Sequence, residues 1–166
     1  SVSWSQTCTS TISSGTLPAV GDGDVICVDG AVNAASDFNI TGDGHLVILD
    51  GGSLNLSAKI KVANTDASLT VKDGGEITGT GQMKFDCNSE ANRATLTVES
   101  NGLIDLDGKF EIKEYTTIVN DGQITTSAGM HLDGTIQNCG TMTAGGKLDM
   151  HGVSFTCPSG TGKLQS

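Results

Sequence analysis

Five cysteines, three histidines and a scatter of turn aspartates are the side chains of this sequence best able to cross-link, ligate or catalyse. The cysteines stand at 8, 27, 87, 139 and 157 with no CxxC among them, so a thiolate zinc site is not indicated. Cys8 precedes Cys27 by 19 residues and Cys139 precedes Cys157 by 18. His45, His131 and His151 fall at different places in the repeat set out below. No two of them are expected to stack, and solvated surface histidine is the expectation over a metal site. Asp22, Asp24, Asp29, Asp43, Asp50, Asp73, Asp121 and Asp133 sit at turns, where carboxylates with turn carbonyls could hold calcium. The nonapeptide GGxGxDxUx pattern is absent, and turn chemistry alone accounts for aspartate there. Calcium is therefore the one cofactor to consider, and none is assigned.

Catalysis has little to stand on. Asp105 and Asp107 flank Leu106 and face the same way, about 7 Å apart along a strand. That spacing only loosely resembles a retaining carboxylate pair. Arg93 is the one arginine, and no set of carboxylates gathers around a base as it does in β-helical polysaccharide lyases and hydrolases. No catalytic residue is assigned and no enzyme is expected.

The elements that must position these side chains follow from an internal repeat. The segments ICVDGAVNAASDFNI, ILDGGSLNLSAKIKV, VKDGGEITGTGQMKF, VESNGLIDLDGKFEI, IVNDGQITTSAGMHL and IQNCGTMTAGGKLDM align without a gap. An apolar anchor recurs as Ile26, Ile48, Val71, Val98, Ile118 and Ile136, and a glycine follows each at Gly30, Gly52, Gly75, Gly102, Gly122 and Gly140. Asp-Gly, Gly-Gly and Asn-Gly pairs accept positive φ, so a stacked tight turn is expected at that glycine. An apolar column resumes at Val32, Leu54, Ile77, Ile104, Ile124 and Met142. A column of small residues follows, at Ser36, Ala58, Gly81, Gly108, Ala128 and Gly146, where the chain must bend inward. Two apolar columns then alternate with polar residues: Phe38, Ile60, Met83, Phe110, Met130 and Leu148, then Ile40, Val62, Phe85, Ile112, Leu132 and Met150. Period-two alternation is a strand with one face buried.

The fold expected is therefore all-β, a parallel β-solenoid (β-helix) of about six coils of 18–27 residues, right-handed as parallel crossovers are. Length differences collect after the last strand, and the longest insertion, residues 86–94, is expected to project from the shaft. The expected organisation is an N-terminal cap or arm over 1–24, the solenoid over 25–157 and a C-terminal tail over 158–166. Coil spacing falls within the Cα separation of a disulfide, which pairs Cys139 with Cys157 and Cys8 with Cys27; buried free thiols are the alternative. Cys87, on the insertion, is left as a free thiol or a bond to a neighbouring subunit. Trp4 would cover the first coil or cross to another molecule.

The totals narrow the partners. A net charge of −10 with a sequence pI near 4.4 repels a phosphate backbone, which sets nucleic acid aside. No apolar run reaches the length of a membrane-spanning helix, so membrane insertion is not expected. Five cysteines in 166 residues favour an oxidising compartment, and an extracellular or cell-surface location is expected. Phrases such as LTVKDGGEITGTG, LTVESNGLIDLDGKF and GDGDVICVDGAV resemble β-solenoid regions in surface proteins of Bacteroidota. That resemblance covers roughly residues 20–157, and it implies export, often by the type IX route, and a place on the cell surface.

A structural subunit that binds copies of itself head to tail is the function expected first. A glycan- or ice-binding module is the alternative, and a polysaccharide-degrading enzyme comes last. Ice binding asks for regular threonine ranks on one face. The rank Asn33, Asn55, Thr78, Asp105, Thr125 and Thr143 and its neighbour Ala31, Ser53, Glu76, Leu103, Gln123 and Thr141 are broken by Asp105 and Glu76. No thermal hysteresis is expected of the protein.

Overall fold

The computed structural model describes residues 6–63 and 65–166, so Trp4 lies outside the described residues. Within them there is no helix, and the named strands all pair in parallel. The chain is a β-solenoid of about six coils, as the repeat requires. Each coil supplies short strands to three faces, here A, B and C. One coil shows the plan: His45–Ile48 on A, Ser53–Leu56 on B and Lys59–Val62 on C. The first coil differs, because the single strand Val25–Ala34 runs along both A and B before Phe38–Ile40 enters C. Faces A and B thus join through that strand into one 14-stranded sheet, while C is a separate six-stranded sheet.

Alternation puts the apolar set inside. Val32, Leu54, Ile77, Ile104, Ile124 and Met142 stack as one buried column on B. Phe38, Ile60, Met83, Phe110, Met130 and Leu148 stack on C, as the repeat placed them. Val98, Ile104, Phe110 and Ile112 are all at most 1% exposed, which fixes the inward phase of that coil.

Face A departs from the sequence frame. Ile48, Val71 and Val98 do share a column, but Ile26 lies beside Leu46, and Ile118 lies beside Leu96. Inside that column Val98 meets Asn120, and Asn120 meets Asn138. The cause is the corner between A and B. It spans residues 49–52, 72–75 and 99–102 in three coils, but only 121–122 and 139–140 in the last two. Aligning on the corner glycine shifts the preceding strand by one inward step. Length variation is therefore not confined to the corner after C.

The glycine column also has a different cause from the one expected. Positive φ falls one residue earlier, at Gly51 (76°) and Gly74 (80°), and none of the six column glycines has it. What leaves no room for a side chain along most of the column is the backbone of the preceding coil. A Cβ at Gly140 would overlap the carbonyl oxygen of Gly122, and one at Gly52 that of Val28. The small-residue column between B and C is tight for the same reason, with Gly108 pressed against the carbonyl of Gly81.

The C-terminal end runs past the expected boundary, while the N-terminal segment lies where a cap was expected. Ser10–Thr16 lies parallel on Val25–Ala34, and Val20, buried, bridges to Ile40. The described part of the N-terminal segment thus covers its own first coil. At the other end Ser154–Thr156 pairs on A and Lys163–Gln165 on B, so residues past 157 continue the coil and are not a loose tail. Among the described residues no helix is long and apolar enough to cross a membrane.

Candidate functional site

Face C carries an outward polar column that reads Asn39, Lys61, Lys84, Glu111, His131, Asp149 from first coil to last. Strand alternation points these residues to solvent, and parallel register sets each beside the next at about 4.8 Å. Asp149 therefore sits beside His131. His151, two residues on, faces the same way and becomes the diagonal neighbour of His131, within reach of a ring.

The three side chains converge. Nε2 of His151 lies 2.9 Å from Oδ1 of Asp149, and Nδ1 of His131 lies 3.5 Å from Oδ2. The two rings stack with centroids 5.4 Å apart and planes at 30°. Lys147 places Nζ 3.2 Å from Oδ2 of the same carboxylate. The Asp149 carboxyl is held below its ordinary pKa, chiefly by the hydrogen bond from Lys147; desolvation opposes this, and the Lys147 and His151 charges and the His151 hydrogen bond add to it. Beside the cluster opens a cavity of about 300 Å³ lined by Lys109, Glu111, Met130, His131, Lys147 and Asp149. Sequence reasoning separated the histidines because it compared columns directly across coils. The repeat interval of 18 between His131 and Asp149, with His151 on the same face, was the available signal.

Other residues singled out in the sequence serve the coil. Cys8–Cys27 and Cys139–Cys157 are disulfides, with Cα separations of 5.7 and 5.0 Å. Cys87 is neither exposed nor placed for a neighbouring subunit. It continues the inward alternation of Met83 and Phe85, and its exposure is 0%. The excursion proper starts after it, closed by the Ser89–Asn92 bridge and the Arg93–Glu90 ion pair. Burial pushes the Cys87 thiol pKa up; the Thr116 hydroxyl opposes this and the Asp86 charge adds to it. Turn aspartates bond backbone amides: Oδ2 of Asp24 accepts from Gly21 in its own turn at 2.8 Å, and Oδ1 of Asp22 from the Asp43 amide of the next coil's turn at 3.1 Å. Asp105 and Asp107 are exposed on or beside face B, and Asp107 accepts from the Ser127 hydroxyl at 3.0 Å. His45, on face A, pairs its Nδ1 with the Ser68 hydroxyl at 2.6 Å.

Face A also holds two outward ranks that the sequence frame, out of step there, did not assemble. One runs His45, Ser68, Thr95, Thr117, Thr135, Ser154; the other Val47, Thr70, Thr97, Val119, Gln137, Thr156. Neither contains Asp, Glu, Lys or Arg.

Comparison with known proteins finds no matching family model, no similar curated protein and no similar solved structure.

Proposed function

We propose that the protein is an extracellular structural subunit that associates head to tail with copies of itself. The observation that carries this is the state of the C-terminal edge. Phe155 and Met150 occupy inward positions, stacked on Ile136 and Leu132, yet are 37% and 43% exposed, with no coil among the described residues beyond them. They are the exposed large hydrophobic side chains among the described residues. Around them the outer backbone edges of Leu148–Met150, Ser154–Thr156 and Lys163–Gln165 stand as the last strands of faces C, A and B. The opposite end offers Ser10–Thr16, an outermost strand that lies along A and B in the same parallel sense. In this reading one end pairs with the other of a second copy, a heterologous contact that propagates unless it closes into a ring. Net charge of −10 supports thin assemblies over lateral clumping. Two disulfides support an oxidising, secreted setting, and the likeness in style to surface proteins of Bacteroidota agrees with it. Light-scattering mass and negative-stain microscopy on undenatured protein test the reading. Concentration-dependent linear particles are expected; a uniform particle of one chain mass at all concentrations would refute it.

The face A ranks favour a second reading, a binding module for ice or a neutral glycan. Hydroxyls and methyls there repeat at about 4.8 Å between coils and about 7 Å along each strand, with no Asp, Glu, Lys or Arg among them to hold liquid water. Freezing-point depression, or retention on an insoluble neutral polysaccharide, lost in Thr95→Lys/Thr117→Lys, is the expected result. Absence of both activities in the unaltered protein would dismiss it.

A further inference from the structure

The geometry points to a divalent transition-metal site formed by His131, Asp149 and His151 on the last two full coils of face C. Two imidazole nitrogens and one carboxylate oxygen lie within 4.8 Å of one another, drawn from adjacent strands. This donor set suits zinc and its first-row neighbours and is ill matched to calcium or magnesium, which take oxygen donors. Bonds of about 2.0–2.2 Å to a tetrahedral ion set ligand atoms about 3.3 Å apart. Nδ1 of His131, 3.5 Å from Oδ2 of Asp149, is already near that figure, and Nε2 of His151, 2.9 Å from Oδ1, must turn toward Oδ2 to join it. What remains is to bring the histidine nitrogens toward each other, and the His151 side chain, 62% exposed, has room to turn.

The surroundings fit an ion with open positions. The adjoining cavity of about 300 Å³ has space for water ligands, and Glu111, beside His131 in the column, offers a further carboxylate to hydrogen-bond them. Lys147 is the competitor: its ammonium occupies Oδ2 of Asp149, where the metal would bind, and must withdraw when the ion enters. With 80% of its side chain exposed, it can do so. Binding would clamp the coil of His131 to the coil of Asp149 and His151. This does not depend on whether the ends of the molecule associate.

Cobalt(II) titration of the full chain, followed by visible absorption and calorimetry, tests the site, with zinc added afterwards as competitor. One equivalent is expected to bind with d–d bands, and zinc is expected to displace it. His131→Ala and Asp149→Asn should each weaken binding at least tenfold. Lys147→Gln should tighten it by freeing the carboxylate, an effect that a merely structural cluster would not produce. His45→Ala, on another face, should leave it unchanged. Circular dichroism of each variant verifies the coil, since all the altered side chains point to solvent. Cobalt affinity unmoved by both His131→Ala and Asp149→Asn, or no binding by the unaltered protein at millimolar metal, would overturn the assignment.

Discussion

At the residue scale, the interior decides what a side chain can do. Cys87 lies on a stretch whose length suggested a projecting loop, yet its phase, two residues after Phe85 and four after Met83, places it inside. A thiol removed from water resists ionisation, and the thiolate is the reactive form. We expect a thiol reagent at pH 8 to label none of the native protein within minutes and one site per chain in denaturant. Rapid native labelling would contradict the burial, and a second site would contradict the disulfides. Asn120 and Asn138 show the same rule with polar groups. Both are buried, and the Asn120 amide donates to Oδ1 of Asn138 at 2.6 Å while the Asn138 amide donates to the Lys163 carbonyl at 2.8 Å. Stacking lets the amide of one asparagine pair with the next, and a polar pair takes over a column that is valine or isoleucine elsewhere, although Oδ1 of Asn120 is left buried without a partner among the described residues.

At the scale of the coil, glycine has two separate uses, and the same substitution tells them apart. Gly51 has φ of 76° with nothing near its absent Cβ, so asparagine, which tolerates that conformation, should fit there. Gly140 has an ordinary φ but no room beneath the Gly122 carbonyl. We expect Gly51→Asn to change stability by no more than about 0.5 kcal/mol. Gly140→Asn should cost about 3 kcal/mol, because a clash with backbone cannot be relieved by a rotamer change. Denaturant unfolding of the two variants measures the difference; equal costs would show that φ and not inter-coil contact governs the column. The glycine column itself was readable from the repeat. Its cause was not, since a Gly-Gly pair in a sequence does not say which member turns and which is pressed against its neighbour.

At the scale of the molecule, a solenoid has no final layer of its own. Each coil covers the one before it, so the inward residues of the last coil stay wet unless something else supplies the next. Burial of Phe155 and Met150 against a second copy would contribute about 1.5–3 kcal/mol for each side chain fully covered. If head-to-tail contact is the arrangement, Phe155→Asp should shift the assembled protein to single-chain mass without unfolding it, because the substitution lies on an edge that the monomer leaves open. Persistent assembly of that variant, seen by light scattering, would place the contact elsewhere.

The sequence by itself determined the fold class, the coil number and the inward columns of faces B and C, and it proposed both disulfide pairs that the structure shows. Those features depend on local alternation and on a repeat interval, and both are periodic along the chain. Tertiary structure alone decided the register of face A and the threonine ranks on it. Each of these turns on how a corner of variable length returns the chain to the stack. A two-residue change at a corner leaves the pattern of glycines and apolar residues intact while it moves the neighbouring strand by a full inward step. Only contact between coils, where carbonyls press on glycines and side chains align at strand spacing, resolves that shift.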